Sequence, residues 1–216
     1  MISYLNFKKN LTFLIIFFVM FTLSFSACNS GEDFPFEYEL GDEGPGGGKV
    51  FYRSAAGFIV EGEDINKIYH YLEAALADIP TELAWASGGF IDTSIPGLLE
   101  HIGTGKENTK LILYIDPNAP AAKACKDFDG GGLDDWFLPS KWELEMLIRN
   151  RDFVDNIPDT SNYLDSHRFW SSTQYAYDYS HFINRAYHSH KQIYGEFVYY
   201  SALKDSLYWV RPVRAF

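Results

Sequence analysis

Residues 11–25 are an almost unbroken apolar run, chiefly Leu, Phe, Ile and Val, interrupted only by Thr12, Thr22 and Ser24. Lys8 and Lys9 stand before it, and the small residues Ser26 and Ala27 lead directly into Cys28. Positive charge, greasy core and small-residue boundary, in that order, are the marks of a secretory signal. A cysteine at the boundary fits lipoprotein processing, with Cys28 as the lipid attachment site. This leader leaves the rest of the chain to fold outside the cytoplasm, held to a membrane through its N-terminal lipid. The expected location is the cell envelope, at the outer membrane or cell surface. An uncleaved membrane anchor is the alternative, because the run approaches the length that crosses about 30 Å of hydrocarbon. Either way residues 29–216 lie on the same side, since the two lysines stay in the cytoplasm.

Two consequences follow for the exported part. Cys28 and Cys125 are the only cysteines. With Cys28 lipidated, no intrachain disulfide can form despite the oxidising surroundings. The fold must then stand on its core, and the 12 Phe, 14 Tyr and 5 Trp beyond the leader supply one. Beyond the leader, 16 Lys and Arg face 29 Asp and Glu, a formal −13. A field of that sign repels nucleic acid and anionic lipid, so no nucleic-acid partner is expected.

Three segments are expected: a signal peptide over 1–27, a flexible acidic tether over 28–43, and a domain over 44–216. Within the domain, residues 49–53 and 57–61 read as a hairpin turning at Ser54-Ala55-Ala56. Residues 69–74 and 83–86 read as further strands. The middle is helical, over 107–115 and over the Ala-rich 119–128, where Pro120 sits in a first turn that has no use for its missing N–H. The sharpest local signal is Ser140-Lys141-Trp142-Glu143, a capping box that starts a helix running to about Asn150. Its apolar stripe is Leu144, Leu147 and Ile148. Strands return over 169–172, 177–184, 193–200 and 207–214. Strands, then two or three helices, then strands predicts an α+β domain with antiparallel sheet.

Five blocks occur in order: 41–52 (GDEGPGGGKVFY), 101–109 (HIGTGKENT), Ala121 to Cys125 followed by 135–141 (DWFLPSK), 169–172 (FWSS) and 210–216 (VRPVRAF). Together they resemble the Lcl C-terminal domain family, named for a collagen-like bacterial adhesin. The DWFLPSK and RPVRAF blocks are also similar to the C-type-lectin-like and formylglycine-generating-enzyme superfamily. The resemblance implies a single C-type-lectin-like domain, its termini close together, with an adhesin-like and non-enzymatic role. The named adhesin is associated with sulfated polysaccharides, a ligand that the formal −13 here disfavours. Most residues of these blocks are expected to serve packing: Trp136, Leu138, Trp142 and Trp170 in the core, with Arg211 and Arg214 paired to Asp134, Asp135 or Glu143.

Residues 127–135 (DFDGGGLDD) gather Asp127, Asp129, Asp134 and Asp135 around glycines, which is how a calcium loop collects oxygen ligands. The spacing departs from the EF-hand pattern, and a solvated acidic turn explains it equally well; otherwise no cofactor is expected. His181, His188 and His190 are a weak zinc candidate. Cys125, inside an Ala-rich helix, reads as a buried inert thiol. The glycine-rich stretches 46–48 and 103–105 lack the phosphate-loop spacing and read as turns. The remaining candidate is the aromatic stretch 175–200. Tyr175, Tyr177 and Tyr179 share strand parity and would face one way. With Asp178 and Asn184 beside them, they would suit stacking on sugar rings. The first expectation is therefore a surface-exposed, non-enzymatic lipoprotein whose partner is a glycan or a surface protein. Its alternatives are an enzyme on the related scaffold and a structural envelope protein.

Overall fold

The computed structural model describes residues 36–154, 167–175, 182–193 and 196–216. The compact unit spans Phe36–Phe216. The leader and Cys28 lie outside the described residues. Among the described residues, no helix is long and apolar enough to cross a membrane.

The architecture is α+β. Strands β1 (Lys49–Phe58) and β2 (Tyr69–Ala74) come first, then helices α1 (Gly105–Ile115), α2 (Pro120–Lys126) and α3 (Lys141–Arg149). Strands β3 (Phe169–Gln174), β4 (Arg185–Ile193), β5 (Glu196–Leu203) and β6 (Val213–Ala215) follow. They make two antiparallel three-stranded sheets, ordered β1-β2-β6 and β3-β4-β5.

Several expectations need correction. The hairpin at Ser54-Ala55-Ala56 is one long strand, β1, whose partner is β2; its register shifts between Arg53 and Phe58. Gly57 there has φ +72°, a conformation L side chains rarely adopt, which accommodates the irregularity. Residues 83–86 are no strand, and Leu83 makes only an isolated bridge to Tyr208. The expected strand 193–200 spans a hairpin instead, because Ile193 of β4 pairs with Glu196 of β5. Asn184 lies in the turn before β4, not in a strand. The described end of the expected tether packs on the domain. Phe36 and Tyr38 pack edge-on against Tyr71, and Tyr38 meets Phe216 at 5.2 Å, so residues 36–43 belong to the domain.

Two apolar clusters fill the domain. One joins Phe51, Leu72 and Val213 of the first sheet to Leu144, Leu147 and Ile148 of α3. The other gathers Trp85, Ile112, Ala121, Ala122, Cys125 and Trp170. Two threads serve both. Phe137 enters the first cluster and its neighbour Leu138 the second; Phe169 and Trp170 divide in the same way. Extended backbone sends successive side chains to opposite sides, so one segment can feed two cores. The small faces of Ala121 and Ala122 bring α2 close to the tryptophans. Trp170 satisfies its indole N–H on the Leu83 carbonyl at 2.9 Å, and Trp85 does so on that of Ser171 at 2.8 Å. Trp142 is not core: it is 40 % exposed, edge-on to His101 at 4.3 Å.

The glycine-rich stretches cradle carboxyl groups of the protein itself. Glu73 on β2 is fully buried and accepts from the backbone N–H of Gly46 at 2.9 Å and Gly48 at 3.1 Å. Arg214 of β6 donates to the same carboxylate at 2.8 Å and to Asp135 at 2.5 Å. A Cβ on Gly48 would lie 2.4 Å from the Ala74 carbonyl oxygen, so the loop closes only with glycine there. Glu143 repeats the device. It is fully buried, accepts from Gly103 N–H and Ser140 N–H at 2.7 Å each, and completes the capping box with Ser140. Arg214 thus meets Asp135 as expected but Glu73 rather than Glu143. Arg211, also buried, pairs with Asp78 at 2.5 Å. Within 101–109, Asn108 clamps both the N–H and carbonyl of Leu99, while Thr109 accepts from Leu138 N–H. These blocks are framework.

Candidate functional site: an aromatic and arginine cleft on the second sheet

The second sheet carries a cleft of about 370 Å³, lined by Arg168, Arg185, His188, Tyr200, Ser201, Ala202, Leu203, Ser206 and Tyr208. The antiparallel register places His188 opposite Tyr200 and Ala186 opposite Ala202. After β5 the chain turns back at 204–206, where Lys204 N–H donates to the Asn184 carbonyl. Lys204 is itself buried and anchors this turn, its ammonium donating to the Thr93 carbonyl at 2.6 Å above the Trp85 ring. The returning arm then lays Trp209 beside Phe169 in a parallel bridge. That single bridge brings Tyr208 next to Arg168.

The rings form a row from core to surface. Trp170 meets Tyr208 at 4.6 Å, Tyr208 meets His188 edge-on at 4.8 Å, and His188 stacks on Tyr200 at 6.2 Å with 18° between planes. Trp170 is fully buried, while Tyr200 is 37 % exposed. Arg168 Nη1 donates to the Tyr208 hydroxyl at 3.0 Å. Arg185 Nε donates to the Ser201 hydroxyl at 2.9 Å, and its Nη2 bonds the Ser201 carbonyl. These bonds fix the direction of both guanidinium groups. Arg168 Nε is buried without a hydrogen-bond partner, alone in this among the side-chain nitrogens and oxygens of the described residues. An unmade bond of that kind costs about 1–3 kcal/mol.

The electrostatics contrast with the whole chain. The formal charge is −11, yet none of the nine lining residues is acidic and two are arginines. The cleft therefore offers donors, hydroxyls and aromatic faces. Its volume falls in the range of small-ligand sites, about 300–1,000 Å³.

The expected site residues are dispersed. Tyr177, Asp178 and Tyr179 lie outside the described residues, as does His181. Tyr175 ends β3, half-buried, edge-on to Phe182 at 5.8 Å and Tyr187 at 5.2 Å, and does not line the cleft. Tyr187 in turn lies under the Lys141 ammonium, 4.3 Å from the ring centroid, and burial pushes its hydroxyl up to about 12. Asn184 does not line the cleft; its backbone carbonyl accepts from Lys204 N–H. The four aspartates do not converge. Asp127 pairs with Lys123 at 2.6 Å, Asp135 with Arg214, and the Asp129 carbonyl closes a glycine turn with Gly132 N–H. Asp134 lines a separate cavity with Asp135. Among the described residues no three His, Cys, Asp or Glu side chains are placed to share a metal ion. Cys125 is fully buried, and burial pushes its thiol well above the ordinary value.

Sequence reasoning missed Arg168, Ser206 and Tyr208. The aromatic stretch 175–200 spans His188 and Tyr200, but the hairpin register that sets them opposite each other, and the arm that completes the cleft, are long-range contacts with no local signal. No family model matches the chain, and no curated protein matches it.

Proposed function

We propose that this chain is an exported, lipid-anchored surface protein that binds glycans without catalysing a reaction, through the cleft on its second sheet. The observation that carries this reading is the pairing of an exposed Tyr200 ring with oriented Arg168, Arg185, Ser201 and Ser206 in one cleft. A sugar has apolar ring faces and a rim of hydroxyls. Tyrosine stacks on the former, and the guanidinium and hydroxyl groups bond the latter.

Cys125, as a sealed and protonated thiol, supplies no nucleophile, which favours binding over the enzyme alternative. The contact of Tyr38 with Phe216 brings the start of the domain to its end, which supports the C-type-lectin-like reading. Export and the lipid at Cys28 rest on the leader sequence. A glycan-array screen of the full chain, beside Tyr200→Ala, tests the reading. Binding to a defined set of glycans, lost in the variant, is expected. Silence of the wild-type chain across the array would overturn it in favour of a structural envelope role.

A further inference from the structure

A second cavity, of about 380 Å³, opens on the other side of Trp136, between α1, residues 61–63 and residues 134–137. Its lining is largely apolar, with Leu113, Trp136 and Phe137 at its floor and Tyr114 at its edge. The Tyr114 ring is 81 % exposed, unusual for so large an aromatic on a helix whose other face packs a core. The Trp136 ring is held in place by Phe128, edge-on at 5.1 Å, and by its N–H donating to the Gly130 carbonyl.

Charge decides what such a cavity would take. Lys106 is engaged by Glu63 at 2.6 Å, Lys110 by Glu107 at 3.0 Å, and Asp135 by Arg214. Lys126 donates to the backbone oxygen of Asp134 rather than to its carboxylate. Among the described residues the Glu61 and Asp134 carboxylates are then left lining the cavity without a salt-bridge partner, against the single ammonium of Lys126, a surplus of one negative charge. An anionic ligand would meet uncompensated negative charge, and a neutral one would leave that charge unused. We propose that this cavity binds a small amphipathic organic cation: an ammonium carried on an aromatic or branched aliphatic body. The body fills the apolar floor. The ammonium lies toward the Glu61 and Asp134 carboxylates, with the exposed Tyr114 ring offering a face for cation–π attraction.

The inference is independent of the glycan reading, since the two cavities share no residue. The test is calorimetric titration of the full chain with phenethylammonium, 2-phenylethanol and 3-phenylpropionate, three probes of one shape and different charge. The ammonium is expected to bind at least about tenfold more tightly than either of the others, a difference of about 1.4 kcal/mol. The double variant Glu61→Gln/Asp134→Asn should lose most of that preference and keep its fold, because both side chains are exposed and unpaired. Tyr200→Ala should leave it unchanged. Equal binding of all three probes would reduce the cavity to a greasy hole and overturn the proposal. So would absence of ammonium binding, or a preference that survives the double variant.

Discussion

Replacing Glu143 with alanine removes the acceptor that holds residues 101–105 to the start of α3. Two backbone N–H groups, of Gly103 and Ser140, each lose a 2.7 Å bond in a site sealed from water. Each orphaned donor costs about 1–3 kcal/mol, so about 2–6 kcal/mol is lost from a total of about 5–15 kcal/mol for such a domain. Urea unfolding measures it directly. At a slope of about 2 kcal/mol per molar, the midpoint falls by about 1–3 M with the slope unchanged. Glu145→Ala, which breaks an i,i+4 pair with a half-exposed Arg149 and leaves no buried N–H without an acceptor, should cost about 0.5–1 kcal/mol. The same carboxyl group carries a pH signature. Burial pushes it from 4.5 up to about 7, against the N–H groups of Ser140 and Gly103, which pull it down. The native state then holds this proton more tightly than the unfolded chain. The stability it contributes is complete below pH 4.5 and is lost as pH rises through about 7, by about 3 kcal/mol at most. Glu143→Gln cannot ionise, so its urea midpoint should fall less than that of wild type between pH 4.5 and 7.5. Equal stability of Glu143→Ala and Glu145→Ala, or identical pH slopes for wild type and Glu143→Gln, would refute the reasoning.

Three further outcomes follow from the framework. Glu73→Ala takes from Arg214 one of its two carboxylates, leaving Asp135, and orphans two glycine N–H groups, and should cost about 3–5 kcal/mol by chemical denaturation. Adding Arg214→Met to it should recover part of that loss; strict additivity in the double-mutant cycle would contradict the pairing. Gly103→Ala forces a side chain onto φ +89° and places its Cβ 2.0 Å from the Ile59 carbonyl oxygen, so the variant should fail to accumulate folded, as judged by near-ultraviolet circular dichroism. Cys125 should react with a thiol reagent only as fast as the protein opens, with the rate climbing steeply across the urea transition; a fast reaction in native conditions would revive the enzyme alternative.

What the sequence made legible was local. Ser140 and Glu143 three residues apart announced a helix start, and the structure has the box with both of its bonds. The Ala-rich run became a buried helix, and Trp170 found its buried partner. The glycine stretches read as turns because their spacing missed the phosphate-loop pattern. Their actual task, cradling Glu73 and Glu143, joins residues 25 to 40 positions apart, which no short motif records. The failures share that cause. Residues 54–56 carry turn-compatible types, yet they bulge within one strand because Arg53 before them and Phe58 after them both pair with β2. Trp142 has a core-like composition around it, but its place in the first turn of α3 points it beside His101 at the surface. The cleft needed the arm at 204–209 folded back on β3, an event of tertiary packing. In the acidic cluster at 127–135, Asp127 pairs with Lys123 and Asp135 with Arg214, long-range and helical partners that the run of aspartates does not announce.

The most direct test of the glycan-binding account is a titration of the full chain with the glycan that scores highest on the array, repeated with Tyr200→Ala and Tyr175→Ala. Tyr200 lines the cleft and Tyr175 does not. The account predicts that affinity drops by about tenfold or more for Tyr200→Ala, equivalent to about 1.4 kcal/mol, and stays within about twofold for Tyr175→Ala. Retained affinity in Tyr200→Ala together with loss in Tyr175→Ala would place the ligand on the opposite aromatic cluster and contradict the account.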